Sequence, residues 1–435
     1  MKPDKIPALL RTLTLPEVTL TGIGVILGAG IYTLIGEAAA MSGNALWLSF
    51  VLSSLIAAFT GLSYMELSSM FPFAGAEYEY TKQSLGCLIS FVTGVLVVFS
   101  GILGSSTVAL GFAGYLNGLF DFPLIPAAVI LIAGLSLIVF AGIKQSTKVA
   151  IICTLIEAGG IVGIILIGLP CLGSVDYLAM PLGIAGVLQA SALLFFAYQG
   201  FEEIVKLSEE TIEPEKNIPK GLILAIIATI ILYIAVSLSI VSIGGWEEIA
   251  NSQNPFAKVA GLAFPGGYTL FSAIALFATA NTVLLMLLSG SRILYGMAKK
   301  GILPGVLASV HKKRRTPHAA IITVCIASII FLGFGSISDV AYLANFTLFV
   351  TFAIINISVI ILRFKMPDCR RPFEIKGTFF KVPVIPAAGL FTCLFFLYQL
   401  DFETIMNGLL LVALLIIAGL LINKKSSENK KILEK

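Results

Sequence analysis

Apolar runs close to 20 residues long recur along nearly the whole chain. A helix rises about 1.5 Å per residue, so each run is long enough to cross a hydrocarbon core about 30 Å thick. In that medium the backbone must satisfy its own polar groups, which leaves helices as the form for runs of this length. Twelve spans are predicted, at 17–40, 45–69, 85–115, 123–142, 147–169, 184–204, 220–243, 266–296, 317–335, 339–363, 383–400 and 404–422. Composition agrees. Of the 435 residues 58% are hydrophobic and 12% charged, where a soluble domain carries about a quarter charged residues. The fold class is an all-α polytopic membrane protein. The opening MKPDKIPALLRTLTLPEV offers no small-residue cleavage site after a short apolar core, so no removable signal peptide is read.

The loop charges orient the chain. With the N-terminus in the cytoplasm, every Lys and Arg falls in a cytoplasmic segment except Lys258, in an outer loop, and Arg292, at the inner end of span eight. The outer loops hold Asp121, Asp176, Glu247, Glu248, Asp339, Asp401 and Glu403 instead. This positive-inside pattern predicts a multi-pass protein of the cell membrane with both termini cytoplasmic. The runs HKKRR at 311–315 and KKSSENKK at 424–431 read as topology signals and solvated tails, with contacts to anionic membrane lipids as the alternative.

Several chemistries are excluded. The six cysteines form no CxxC pair, and His311 and His318 lie together in one basic loop. Neither a metal centre nor a disulfide framework is expected. No nucleophile–base pair or nucleotide-binding loop appears, so the chain is read as no enzyme, with no cofactor and no nucleic-acid partner. Its oligomeric state is not read from the sequence.

The stretch GIGVILGAGIY, at 22–32, concentrates Gly22, Gly24, Gly28 and Gly30 inside the first span. Each interior glycine costs a helix about 1 kcal/mol relative to alanine. Gly24-x-x-x-Gly28 fits close helix packing, but four glycines on different faces point to a locally unwound helix. Irregular backbone at membrane depth is tolerated where it lines a cavity or is buried in protein. Span six, SALLFFAYQGFEEIVKLSEE, carries Gly200 between polar Gln199 and Glu202 and stands five spans later. Matching breaks in two halves of a chain mark a transport site near the membrane midplane, where freed amides face an anionic group and freed carbonyls a cation. A zwitterion such as an amino acid suits that arrangement.

Five motifs in order, GAGIY (28–32), LSYMELSSMFPFAGAEYEY (62–80), FFAYQGFEE with EPEKNIPKGL (213–222), SRILYGMAKKGILP (291–304) with TPHAAI, and LRFKMPDCRRPFEIKG (362–377), resemble those of the amino acid-polyamine-organocation superfamily of permeases. The resemblance spans nearly the whole chain. It implies the LeuT-like fold, with discontinuous helices 1 and 6 in a 5+5 inverted repeat and two additional helices. The corresponding division is a cytoplasmic segment 1–16, repeats 17–169 and 184–363, helices 11 and 12 at 383–422, and a cytoplasmic tail 423–435. It also implies secondary transport of an amino acid or related organocation by alternating access. A membrane amino acid sensor on the same fold is the reading from another class.

Carried over by position, Gly28, Ala29 and Gly30 would surround the substrate carboxylate, with Ile26 in the same unwound stretch. Phe196 would close over the substrate, while Ala197, Tyr198 and Gly200 would line its amino-group side. Glu157 falls mid-way along span five, where some proton-coupled relatives carry a lysine. It is assigned to proton exchange or to pairing with a cation, a cationic substrate such as arginine, lysine or a polyamine included, against a bracing role between spans one and eight. The buried acids tilt the expected substrate toward cationic or broad specificity. Glu202, just past the second break, is the other coupling candidate. Thr279, Asn281 and Thr282 offer the chemistry of a sodium site between spans one and eight. Proton symport is the leading expectation, with sodium symport and exchange as alternatives. Glu37 and Glu66 lie near span ends and read as structural.

Overall fold

The computed structural model describes residues 9–250, 252, 254–333 and 337–433. Residues 1–8 and 434–435 of the two predicted cytoplasmic ends lie outside the described residues. The first span is two helices, α1 (Leu15–Leu27) and α2 (Ala29–Ser42). They are followed by α3 (Leu46–Met70), α4 (Ala76–Leu85), α5 (Cys87–Phe120), α6 (Leu124–Ala141) and α7 (Ile143–Gly168). Span six is α8 (Gly183–Tyr198), continued past a break by a 3-10 segment, Phe201–Glu210. The second half continues with α9 (Pro214–Ala250), α10 (Pro255–Ala263), α11 (Gly267–Lys299), α12 (His318–Phe331) and α13 (Ile337–Lys365). A two-residue hairpin, β1 (Thr378–Phe379) on β2 (Val382–Pro383), precedes α14 (Val384–Tyr398) and α15 (Phe402–Leu433).

Nine helical stretches among the described residues are long and apolar enough to cross a membrane, and the first of them, Leu15–Met70, covers the first two expected spans. The ninth and eleventh expected spans are matched by shorter apolar helices, His318–Phe331 and Val384–Tyr398. Large apolar side chains stay exposed on the outer faces of the peripheral helices, as at Leu137 on α6 and Ile231 on α9. Such faces suit lipid rather than water.

Loops hold more structure than their length suggested. The connection after span two contains α4, and the loop at 244–265 contains α10 and the end of α9, which turns at Gly245. α15 runs on past residue 422 into the segment expected as a tail.

Between the helices the glue is polar. Ser53 Oγ donates to the Ser191 carbonyl at 2.6 Å, joining α3 to α8. Asn356 on α13 accepts from Ser63 Oγ at 2.6 Å and donates to Thr60 Oγ1 at 2.9 Å, both on α3. Interhelical bonds of this kind replace the hydrophobic drive that lipid does not supply.

One expectation about the glycines is corrected. A single residue, Gly28, breaks span one, leaving the helical region at φ −37°, ψ −141°. The other three are sites of close approach. A Cβ on Gly22 would stand 2.4 Å from Ile204 Cδ1, one on Gly24 1.8 Å from Thr154 Oγ1, and one on Gly30 2.4 Å from Ala197 Cα. Periodicity alone does not separate a glycine needed for its backbone from one needed for its missing side chain.

Candidate functional site

The two breaks lie against each other. Gly30, in the first turn of α2, packs so closely on Ala197 near the end of α8 that no side chain fits between the two backbones. The second break is made by Gln199 and Gly200, where Gly200 takes φ +120°, a conformation that a Cβ strongly disfavours.

Four helix ends meet there. α2 and the 3-10 segment bring N-termini, which carry unpaired amides and partial positive charge; α1 and α8 bring C-termini. One positive end is already occupied, because Glu202 Oε2 accepts the Gly200 amide at 2.9 Å. The N-terminus of α2, with the amides of Ala29 and Gly30, is the other positive end and suits a carboxylate.

On the negative side, an unbroken helix would pair the carbonyls of Ile26 and Ala197 with the amides four residues on. Here the Tyr233 hydroxyl, on α9, reaches both: 2.9 Å to Ala197 O, and a shorter contact to Ile26 O. A phenol has one proton, so it satisfies one carbonyl at a time and leaves accepting capacity for an ammonium group. Tyr233→Phe removes the donor that the two carbonyls share and that holds them in place. With that bond of order 1–1.5 kcal/mol lost, the pre-set acceptors loosen and substrate binding is expected to weaken by up to about tenfold. Calorimetric titration of the purified protein checks this.

The sequence-predicted residues divide around this junction. Ile26, Gly28, Ala29, Gly30, Ala197 and Gly200 come together at it, and Phe196 is buried beside them on α8. Tyr198 turns away: its hydroxyl donates to the Phe50 carbonyl at 3.1 Å, and its ring packs edge-on against Tyr233. Gln199 Nε2 reaches Ser100 Oγ on α5 at 3.3 Å, and its Oε1 is buried without a partner.

Glu157 sits behind the first break, fully buried. Its Oε1 accepts from Asn281 Nδ2 at 3.0 Å, and the same nitrogen stands 3.1 Å from Thr154 Oγ1. The ideal Cβ position of Gly24 points at both Thr154 and Asn281, while Tyr32 on α2 donates to the Glu157 carbonyl at 3.2 Å. Glu157 is thereby linked to both halves of span one. Its Oε2 has no partner. Of the three sodium candidates, Asn281 is engaged by Glu157, Thr282 stands against Gly28, and Thr279 bonds to carbonyls of its own helix. Groups of three or more His, Cys, Asp or Glu suited to a metal ion are absent among the described residues.

The end of the bundle that carries both termini is sealed. Arg292 on α11 grips Glu210 with two nitrogens, at 2.9 and 3.1 Å, both side chains being buried. Lys299 pairs with Glu209 at 3.1 Å and Lys300 with Glu79 at 2.9 Å. Leu13 and Ile212 add backbone bonds that pin the N-terminal segment to the end of the 3-10 segment. Glu66 is structural, holding Arg363 at 2.6 Å and Arg371 at 3.3 Å. The opposite end opens into a cavity of about 900 Å³ lined by Met41, Gln189, Tyr342, Asp401 and Glu403, among others.

A model of the amino acid permease family matches residues 13–406. The chain belongs to that family. This permease is 31% identical over 455 residues to the branched-chain amino acid permease BcaP of Bacillus subtilis, covering 97% of this chain and 95% of that one. It is also 31% identical over 449 residues to the methylthioribose transporter of the same organism, covering 98% and 96%. The structure of Mhp1, a nucleobase-cation-symport-1 family transporter in a closed conformation with bromovinylhydantoin bound, aligns with a TM-score of 0.59 at 16% identity over 98% of this chain and 96% of that one. That likeness concerns the fold, the LeuT-like arrangement in which spans one and six are interrupted. The permease is a multi-pass membrane protein that transports, and it is not an enzyme.

Sequence reasoning missed Tyr233, Thr154 and Lys206. Tyr233 had a signal, as the one tyrosine in the otherwise aliphatic run of α9. Lys206 had one too, as the single cation among four acids in FEEIVKLSEE.

Proposed function

We propose that the permease carries a zwitterionic amino acid with an uncharged side chain across the cell membrane, driven by protons. The observation that supports the substrate reading is the junction itself, where the N-terminus of α2 meets a pair of carbonyls that share a single hydroxyl proton. The carboxylate would lie on the amides of Ala29 and Gly30, and the ammonium against Ile26 O and Ala197 O, with Phe196 closing over them. Both acids near the break are engaged, Glu202 by the Gly200 amide and Glu157 by Asn281. Glu157 Oε2 and Glu202 Oε1 keep no partner, but each carboxylate is already bonded through its other oxygen, so a cationic side chain would compete with those bonds. The branched-chain substrate in the relative's name fits this preference.

Proton coupling is assigned to Glu157. A carboxylate at this depth is costly when ionised. This one is bonded to Asn281, which with Thr154 stands against Gly24 on α1, and its backbone carbonyl accepts from Tyr32 on α2. A change in its charge would act on the break through these neighbours. The repeats 17–169 and 184–363 would rock about this junction, with helices 383–422 beside them. With the basic loops on the cytoplasmic side, the sealed end would face inward. Glu157→Gln in liposomes is expected to lose at least about tenfold of proton-driven accumulation while retaining exchange of labelled for unlabelled substrate. Unchanged accumulation would remove Glu157 from the mechanism and return it to a bracing role.

A further inference from the structure

Four buried ionisable side chains gather just beyond the span-six break, and neither the substrate junction nor Glu157 uses them as a group. Glu202, Glu203 and Lys206 come from the 3-10 segment and Glu77 from α4; none is more than 5% exposed. Lys206 Nζ stands 2.6 Å from Glu203 Oε1 and 3.8 Å from Glu77 Oε1. Glu77 Oε1 also accepts from the Tyr64 hydroxyl at 3.3 Å. Three carboxylate oxygens remain without partners: Glu77 Oε2, Glu202 Oε1 and Glu203 Oε2.

Two further observations point the same way. The Tyr80 hydroxyl, from the helix that carries Glu77, is buried and unpartnered. A void of about 10 Å³ is bounded by Glu203, Thr21 and Ser289, and Thr21 Oγ1 is likewise buried without a partner. That is close to the room one water needs, with three polar side chains among otherwise apolar walls. Three carboxylates face one ammonium, so full ionisation would leave two excess negative charges in a water-poor site, which is strongly unfavourable. A proton removes one charge and turns an idle acceptor oxygen into a donor.

We propose that Glu77, Glu203 and Lys206, joined to the substrate junction through Glu202, form a proton-binding site that is loaded while the terminal-side gate is closed and emptied when it opens. The proposal rests on the alternating-access reading, but it is independent of Glu157. Loading adds one proton to a carboxylate oxygen of the cluster; opening admits water and releases that proton on the terminal side.

The surroundings of Glu77 make it the focus. Facing it are Lys206 and Glu203 from the 3-10 segment, Tyr64 from α3 and Tyr80 from its own helix, with Glu202 reaching Tyr64 and Lys206 beside them. α5 carries no charged residue. On α13, Arg363 and Lys365 are held by Glu66 and by the Ser84 carbonyl, and on α11 Lys300 is held by Glu79. Burial pushes the Glu77 carboxyl up to about 7, even against the Lys206 ammonium. In a hydrated, open gate it would titrate near its ordinary value of about 4.3. Closing then takes up a proton between roughly pH 4.5 and 7, so the closed form is favoured at low pH. The open-to-closed ratio rises by up to about tenfold per pH unit in that window and levels off above it.

The test follows the gate rather than transport. Spin labels at exposed Lys216 and Lys313, with the native cysteines replaced, report open and closed populations of the full chain in lipid discs from pH 5 to 8. The unmodified cluster is expected to open as pH rises toward 7. Glu77→Gln and Glu203→Gln should flatten that response, and Glu157→Gln should leave it intact. A response unchanged in both cluster variants, or absent before any substitution, overturns the proposal. If an amino acid shifts the populations and pH does not, this inference alone falls; if neither does, the alternating-access reading falls with it.

Discussion

Alanine at position 30 is expected to reduce transport by at least about tenfold while the permease still inserts and folds. The added Cβ would stand 2.4 Å from Ala197 Cα, 2.8 Å from its nitrogen and 3.0 Å from its Cβ. None of these atoms is the far end of a flexible side chain, so relief requires α2 and α8 to move apart at the junction that would hold the substrate. Overpacking of this kind costs about 1–3 kcal/mol. Here it falls on a contact that aligns the amides at the start of α2 with the carbonyls of Ile26 and Ala197. Gly22→Ala is the matched control. Its Cβ would come equally close to a neighbour, but that neighbour is the terminal methyl of Ile204, which can rotate away. Initial uptake rates and melting temperatures of the two variants, compared side by side, separate an injured site from an injured fold.

Removing Arg292 should have a comparably large effect at the other end of the mechanism. Arg292 and Glu210 are both buried and joined by two short hydrogen bonds. Taking away one partner of such a pair leaves an uncompensated charge and costs about 3–5 kcal/mol, whereas replacing both with apolar or neutral groups costs far less. Arg292→Met should therefore destabilise the sealed state strongly, open the terminal end and lose accumulation, because substrate and proton would leak back. Arg292→Met combined with Glu210→Gln should recover much of the thermal stability. A double variant no more stable than the single one would show that the pair does not act as a unit.

The sequence made the membrane class, the two interrupted spans and the five glycine and alanine positions of the junction legible. Hydrophobic run length and clustered glycines report directly on backbone constraints. It was less informative wherever a side chain acts across helices. Tyr233 serves the unwound carbonyls from more than thirty residues beyond the second break, a relation no local pattern encodes. Tyr198 looked like a site residue by position, yet as the last residue of α8 it faces α3 and α9, and its hydroxyl is spent on the Phe50 carbonyl. Asn281 read as an ion ligand from its chemistry. In the folded chain it is the partner of Glu157, so the two candidates become one hydrogen-bonded unit. The span-six continuation is a 3-10 segment whose charged residues are nearly all buried, although its acids had suggested the polar inner end of a helix. Burial there comes from neighbours on α3, α4 and α11 that sequence distance conceals.

The measurement that bears most directly on the account is uptake of labelled neutral amino acids into liposomes containing the purified permease. An inward proton gradient would be imposed, then a sodium gradient, then preloaded internal substrate alone. The account predicts accumulation above equilibrium with the proton gradient, abolished by a protonophore and indifferent to sodium. Accumulation that follows only the sodium gradient, or label entry that requires internal substrate, would contradict it.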